Sequence, residues 1–204
     1  MTLPQPPLLV ISDRSQARRP LIEIAASAFA GGCRWFSLRE KDLPAGERRA
    51  LLAELVALGA RHGATVTAHD DLDAVVATGA GGVHLPSGGD PRAARACLPR
   101  GLVGVSAHSA GEAAALIAAG ADYVTLSPIF LTGSKPGYGP ALGLAGLAAA
   151  AASVNSPILA LAGITPANAR ACLDAGAAGI AVMGEVMRAA DPQATVRALI
   201  AAIA

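Results

Sequence analysis

The chain has 204 residues, 53% of them hydrophobic but only 3% aromatic, and its sixteen basic residues nearly balance its fifteen acidic ones. That length suits one domain, residues 1–204, with a core built from Ala, Val, Leu and Ile. The even charge leaves no basic stripe for a nucleic-acid backbone, and the sequence offers no span or polybasic anchor for a membrane.

The N-terminal residues lack the positive patch and apolar block of a signal peptide, so a cytoplasmic location is expected. Cys33, Cys97 and Cys172 have no Cys or His at ligand spacing. They are predicted to be buried reduced thiols rather than a disulfide framework or a zinc site.

Short apolar runs recur along the chain at 8–12, 35–39, 65–68, 82–85, 102–106, 123–127, 158–161 and 179–183. Most are continuous rather than alternating, the pattern of parallel strands covered on both faces. Helical patterns lie between them, among them 46–61, 91–97, 110–119 and 166–175. Asp90-Pro91, Ser109 and Thr165-Pro166 read as helix starts, with a polar cap and, twice, a proline in the first turn. A second signature precedes the strands: Ala30-Gly31-Gly32, Gly79-Ala80-Gly81-Gly82, Gly120-Ala121 and Gly176-Ala177. Each reads as a helix ending on glycine, where a left-handed backbone meets no Cβ clash, followed at once by a strand. Eight such units without a break in composition predict a single (β/α)8 TIM barrel. A doubly wound open sheet is the alternative, and it would need edge strands that the buried runs do not offer.

In such a barrel, chemistry sits where the strands end. The second run ends in Ser37-Leu38-Arg39-Glu40-Lys41, and strand period places Ser37, Arg39 and Lys41 on one side. The alternative is a solvated strand end with Arg39 paired to Glu40 or another acid. The third and fourth runs lead to His69-Asp70-Asp71 and to His84 through Asp90. Carboxylates after adjacent strands can share a hard cation such as Mg²⁺, with Asp70 the better candidate, while Asp90 is equally well a helix cap. His84, lacking a ligand partner at motif spacing, reads as a structural imidazole near the rim. The fifth run ends in Ser106-Ala107-His108-Ser109, where His108 is either a general acid/base or a rim residue bonding a neighbouring loop. After the sixth run comes a long Gly- and Pro-rich connection in which Thr132, Ser134 and Lys135 suggest a phosphate clamp. Gly163 and Gly184, after the last two runs, allow backbone N–H groups to approach an anion, with a short helix expected after the eighth strand.

These pieces, in this order, resemble the thiamine phosphate synthase/TenI family over nearly the whole chain. They are Leu38-Arg39-Glu40-Lys41, His69-Asp70 with Gly82-Val83-His84-Leu85 and Asp90, and Val105-Ser106-Ala107-His108-Ser109. Ser127-Pro128-Ile129-Phe130 with Thr132-Gly133-Ser134-Lys135, then Ala162-Gly163-Ile164 and Gly179-Ile180-Ala181-Val182, complete the set. The resemblance implies a barrel that couples hydroxymethylpyrimidine diphosphate to a thiazole phosphate carboxylate. By match to motif, Arg39, Lys41 and Lys135 neutralise the departing diphosphate, Asp70 and Asp90 hold Mg²⁺, and Ser106 lies near the pyrimidine. Thr132 and Ser134 contact the thiazole substrate, and Gly163 and Gly184 bind its phosphate.

Three departures stand out: Ser37 where synthases usually have Gln, His69 where they usually have Asn, and Pro86-Ser87-Gly88-Gly89-Asp90 where they usually read Gly-Gln-Glu-Asp; the first two positions help bind the pyrimidine. The TenI branch includes thiazole tautomerases that need no metal and use the histidine matching His108. The expected activity is therefore synthase, with a tautomerase or a non-catalytic thiamine-precursor-binding barrel as alternatives. A homo-oligomer is compatible with the sequence, which does not specify one.

Overall fold

The computed structural model of the chain describes residues 2–132 and 140–204. Eight parallel strands close into a barrel in sequence order: β1 (Leu8–Ile11), β2 (Trp35–Leu38), β3 (Thr65–His69), β4 (Gly82–Leu85), β5 (Leu102–Ala107), β6 (Tyr123–Leu126), β7 (Ile158–Leu161) and β8 (Gly179–Val182). β1 pairs with both β2 and β8, so the barrel sheet closes without an edge strand and the open-sheet alternative is excluded. Helices fill the connections: α1 (Leu21–Ala30), α2 (Ala45–Ala60), α3 (Leu72–Thr78), α4 (Pro91–Cys97), α5 (Ala110–Ala118), α6 (Gly143–Ala152), α7 (Ala169–Asp174), α8 (Gly184–Met187) and α9 (Pro192–Ala202). Among the described residues no helix is long and apolar enough to cross a membrane.

The continuous apolar runs are explained by two separate cores. Alternate strand residues such as Val10, Phe36, Val66, Val103, Val124 and Ile180 pack outward against the helices. The residues between them, among them Leu9, Ile11, Trp35, Leu102, Tyr123, Leu159 and Ala181, fill the barrel interior. Because the interior narrows to a few side chains per layer, bulky residues need small neighbours. Register supplies them: Gly82 lies beside Leu102, Gly104 beside Tyr123 and Gly179 beside Leu159.

The glycine signature serves its expected purpose. Gly32, Gly79, Gly120 and Gly176 all take positive φ where a helix turns back into a strand. Asp90 and Ser109 cap α4 and α5 as predicted; Ser109 Oγ accepts from the Glu112 N–H, and the Glu112 carboxylate accepts from the His108 N–H one residue before the cap. Thr165-Pro166 does not start α7. Asn168 bonds back to the loop, accepting from the Thr165 N–H and donating to the Gly163 carbonyl, and the helix begins only at Ala169. Cys33 and Cys172 are buried, but Cys97 is exposed at the end of α4, correcting the expectation of three buried thiols.

Candidate active site

Toward their C-terminal ends the strands turn their inward residues from apolar to polar. Trp35 gives way to Ser37, Leu102 to Ser106 and Tyr123 to Thr125, with Thr67 and His84 on the strands between, and the barrel opens there into a cavity of about 520 Å³. Ser37, Arg39, Lys41, His69, Ser106, His108, Thr132, Gly163 and Gly184 all line it, so predicted residues from the ends of six strands share one site. Ser134 and Lys135 lie outside the described residues.

The β2 end behaves as strand period predicts. Ser37, Arg39 and Lys41 face the cavity, while Leu38 and Glu40 turn away and are buried. Glu40 does not pair with Arg39. It accepts from the Ser12 hydroxyl at 2.6 Å and from the Arg14 N–H at 3.1 Å, and pairs with the Arg14 guanidinium at 3.4 Å. Burial pushes its carboxyl up, opposed by the Ser12 hydroxyl and by Arg14. Ser12 in turn accepts from the Arg39 N–H at 2.8 Å, which locks the cation's backbone to β1. Arg39 makes no ion pair among the described residues, leaving its charge for a ligand. Asp13, across the cavity mouth, has its carboxyl lowered overall. Burial would raise it, but bonds from Ser15 and Gln16 and the Arg39 charge outweigh that.

The acidic side divides by partner. Asp71 caps α3 through the Ala74 N–H and pairs with Arg48 at 2.6 Å, which makes it structural. Asp70 is held at φ 53 by an N–H bond to the His84 carbonyl, and its exposed carboxylate makes no bond among the described residues. One oxygen of Asp90 accepts from the Arg92 N–H, and the other makes no bond among the described residues. Neither Asp70 nor Asp90 lines the cavity; they belong to the connections that follow β3 and β4. Among the described residues no group of three or more His, Cys, Asp or Glu could enclose a metal ion. Two carboxylates are still the donor set that suits Mg²⁺, which keeps waters and accepts substrate phosphate oxygens.

Sequence reasoning placed His84 at the rim; it is buried within the barrel. Its Nδ1 lies 3.1 Å from the Tyr123 hydroxyl, its Nε2 3.0 Å from Ser106 Oγ and 3.3 Å from Thr125 Oγ1, and His69 stacks on it at 5.7 Å. Burial, assisted by the Arg39 charge, pushes its imidazole down from 6.5 to about 4. The unfolded chain therefore takes up a proton as pH falls through 6.5, while the folded protein resists until about 4. Stability is complete above that window and is expected to drop by about 3 kcal/mol across it as the solution is acidified. Urea unfolding on either side of the window checks this, and His84→Asn should flatten the slope.

His108 bonds a neighbouring connection, as its rim reading expects. Its Nδ1 lies 2.9 Å from the Ser127 carbonyl, which can only accept, so Nδ1 carries the proton and Nε2 is the basic nitrogen. Residues the sequence did not flag also reach the cavity, notably Asp13, Gln16 and Arg188. Arg188 lies across Gly184 and bonds Gln16, far away in sequence, so no local motif could reveal the pair.

A closed β/α barrel with a mixed cationic and acidic cavity at its C-terminal strand ends is the class this fold and site define. Residues 8–186 match the family profile described as thiamine monophosphate synthase. The chain is 44% identical to a Geobacter sulfurreducens protein over 197 residues, covering 95% of this chain and 92% of that one. It is 40% identical to the thiamine-phosphate synthase of Moorella thermoacetica, covering 94% and 92% of the two chains. Thiamine phosphate pyrophosphorylase from Pyrococcus furiosus superposes with a TM-score of 0.87 at 31% identity, covering 96% and 94%. The chain belongs to the thiamine monophosphate synthase family.

Proposed function

We propose that the protein is a thiamine-phosphate synthase, joining hydroxymethylpyrimidine diphosphate to thiazole phosphate carboxylate with release of diphosphate. The observation that carries this reading is the convergence of Arg39 and Lys41 on one cavity wall while Glu40 turns away to Arg14. The relatives that bear the synthase name support it. The reaction breaks the bond between the pyrimidine methylene and the diphosphate, and the electron pair leaves with the oxygen. The resulting pyrimidine-stabilised cation is trapped by the thiazole nitrogen, which supplies the pair for the new carbon–nitrogen bond; the carboxylate then leaves as carbon dioxide, and the ring carbon it leaves takes up a proton.

Departure of a diphosphate is helped most by positive charge already in place, since no reorganisation is then needed as charge develops. Arg39 and Lys41 provide it, joined in this reading by Lys135. Asp70 and Asp90 would hold Mg²⁺, whose contribution when bound is further neutralisation of the diphosphate oxygens. Ser37, His69 and Ser106 face the pyrimidine, Thr132 and Ser134 the thiazole, and the N–H groups of Gly163 and Gly184 its phosphate. Ile11 and Leu161 form apolar lining that limits capture of the cation by water.

One observation favours a second reading. His108 presents a tautomer-fixed imidazole to the same cavity, as a thiazole tautomerase requires. Supplying the purified protein with both substrates and Mg²⁺ separates the two. Thiamine phosphate and an equal amount of diphosphate are expected. Metal-independent thiazole tautomer exchange without coupling, lost in His108→Ala, would overturn the synthase assignment.

A further inference from the structure

We propose that Tyr123 and His84 are positioning residues that fix the polarity of Ser106, holding its hydroxyl as a donor toward the cavity, where it reads a ring nitrogen of the aminopyrimidine. The ligand part of this inference rests on the synthase reading; the hydrogen-bond part does not.

A neutral imidazole has one N–H, so its two nitrogens play opposite roles. Tyr123 is fully buried and its hydroxyl meets His84 Nδ1 as its partner among the described residues. A phenol is a strong donor and a weak acceptor, and the imidazole nitrogen is the better acceptor of the two. The phenol therefore donates to Nδ1, since the opposite arrangement would strand its proton in the core. The imidazole proton then sits on Nε2 and is donated to Ser106 Oγ at 3.0 Å, with Thr125 Oγ1 sharing it at 3.3 Å.

Ser106, half-buried and open to the cavity, has one lone pair engaged by His84. Its own proton is left to turn toward a ligand. An opposite tautomer would draw that proton onto Nε2 and leave only oxygen lone pairs facing the cavity. A donor selects an acceptor, and the acceptors of a 4-aminopyrimidine are its ring nitrogens rather than its amino group.

The chain of bonds is held from several sides. Trp35 meets the Tyr123 ring edge-on with centroids 4.7 Å apart, His69 stacks on His84, and Gly104 leaves the space that the Tyr123 ring occupies. The polarity of one cavity hydroxyl is thus set by a phenol two residues deeper in the barrel.

Nitrogen-15 NMR of the histidine rings in the full-length protein reads the relay without any turnover. His84 is expected with a protonated Nε2 and a hydrogen-bonded, unprotonated Nδ1, and Tyr123→Phe should move the proton toward Nδ1. A protonated Nδ1 in the unaltered protein overturns the proposal. In the coupling assay, Tyr123→Phe and Ser106→Ala should each raise KM for the pyrimidine diphosphate about tenfold, the scale of one lost hydrogen bond. Neither should shift KM for the thiazole phosphate, and the double variant should be no worse than Ser106→Ala alone. Additive losses, or equal rises in both KM values, contradict a role exerted through Ser106. Should coupling be absent altogether, the tautomer still decides the relay, and only the synthase reading falls.

Discussion

Arg39→Ala is expected to lower the turnover of coupling by about two to three orders of magnitude while leaving the fold intact, the scale of losing one preorganised charge-stabilising group. Three contacts set this expectation. The Arg39 N–H is bound by Ser12 Oγ, Ser12 donates to Glu40, and Glu40 is held by the Arg14 backbone. These anchors use main chain and neighbouring side chains, so they survive loss of the guanidinium. The side chain itself is half-buried in the cavity wall without an ion pair among the described residues. Its removal takes away charge positioned for the leaving group rather than a strut of the barrel. Stopped-time measurement of diphosphate release, alongside KM for the thiazole phosphate, checks the assignment. A turnover near that of the unaltered protein would remove Arg39 from leaving-group stabilisation. Lys41→Ala is expected to act in the same direction, costing far more in turnover than in thiazole phosphate binding.

The largest expected effect on stability comes from one added methyl group. Gly104→Ala should destabilise the protein by about 3 kcal/mol, at the upper end of overpacking costs. A Cβ at this position would land on the Tyr123 ring, well inside van der Waals contact. That ring cannot retreat easily, because Trp35 closes one side and the hydroxyl is bound to His84. Interior layers of a barrel are close-packed, so strain there spreads to the strand register. Urea unfolding measures the cost. A loss below about 1 kcal/mol would mean the interior can repack around residue 104, against the close-packing argument. Gly111→Ala, in helix α5 with open space around its Cα, is the control and should be neutral or mildly stabilising.

Much of the architecture was legible in local pattern. Continuous apolar runs marked buried parallel strands because both of their faces are covered, and glycine before four of the strands marked where helices stop. The placement of Arg39 and Lys41 on one side followed from strand period alone, although β2 itself ends at Leu38. That the chemistry lies after the strands followed from the fold class.

What escaped the sequence has a common cause. The Glu40–Ser12–Arg14 anchor joins residues 26 to 28 positions apart, and the His84–Tyr123 bond spans 39. No periodicity within a segment encodes such pairs; they exist because barrel closure sets strands side by side. The same closure separates Asp70 from Asp71, neighbours of one chemical type. Asp71 meets the α3 N-terminus and Arg48, whereas the left-handed backbone at Asp70 turns its carboxylate to solvent. The sequence by itself determined the barrel and the end of it that carries the charges. Only the tertiary structure decided which of those charges are already paired, and through His84 which way a cavity hydroxyl points, because pairing and proton position depend on distances between strands.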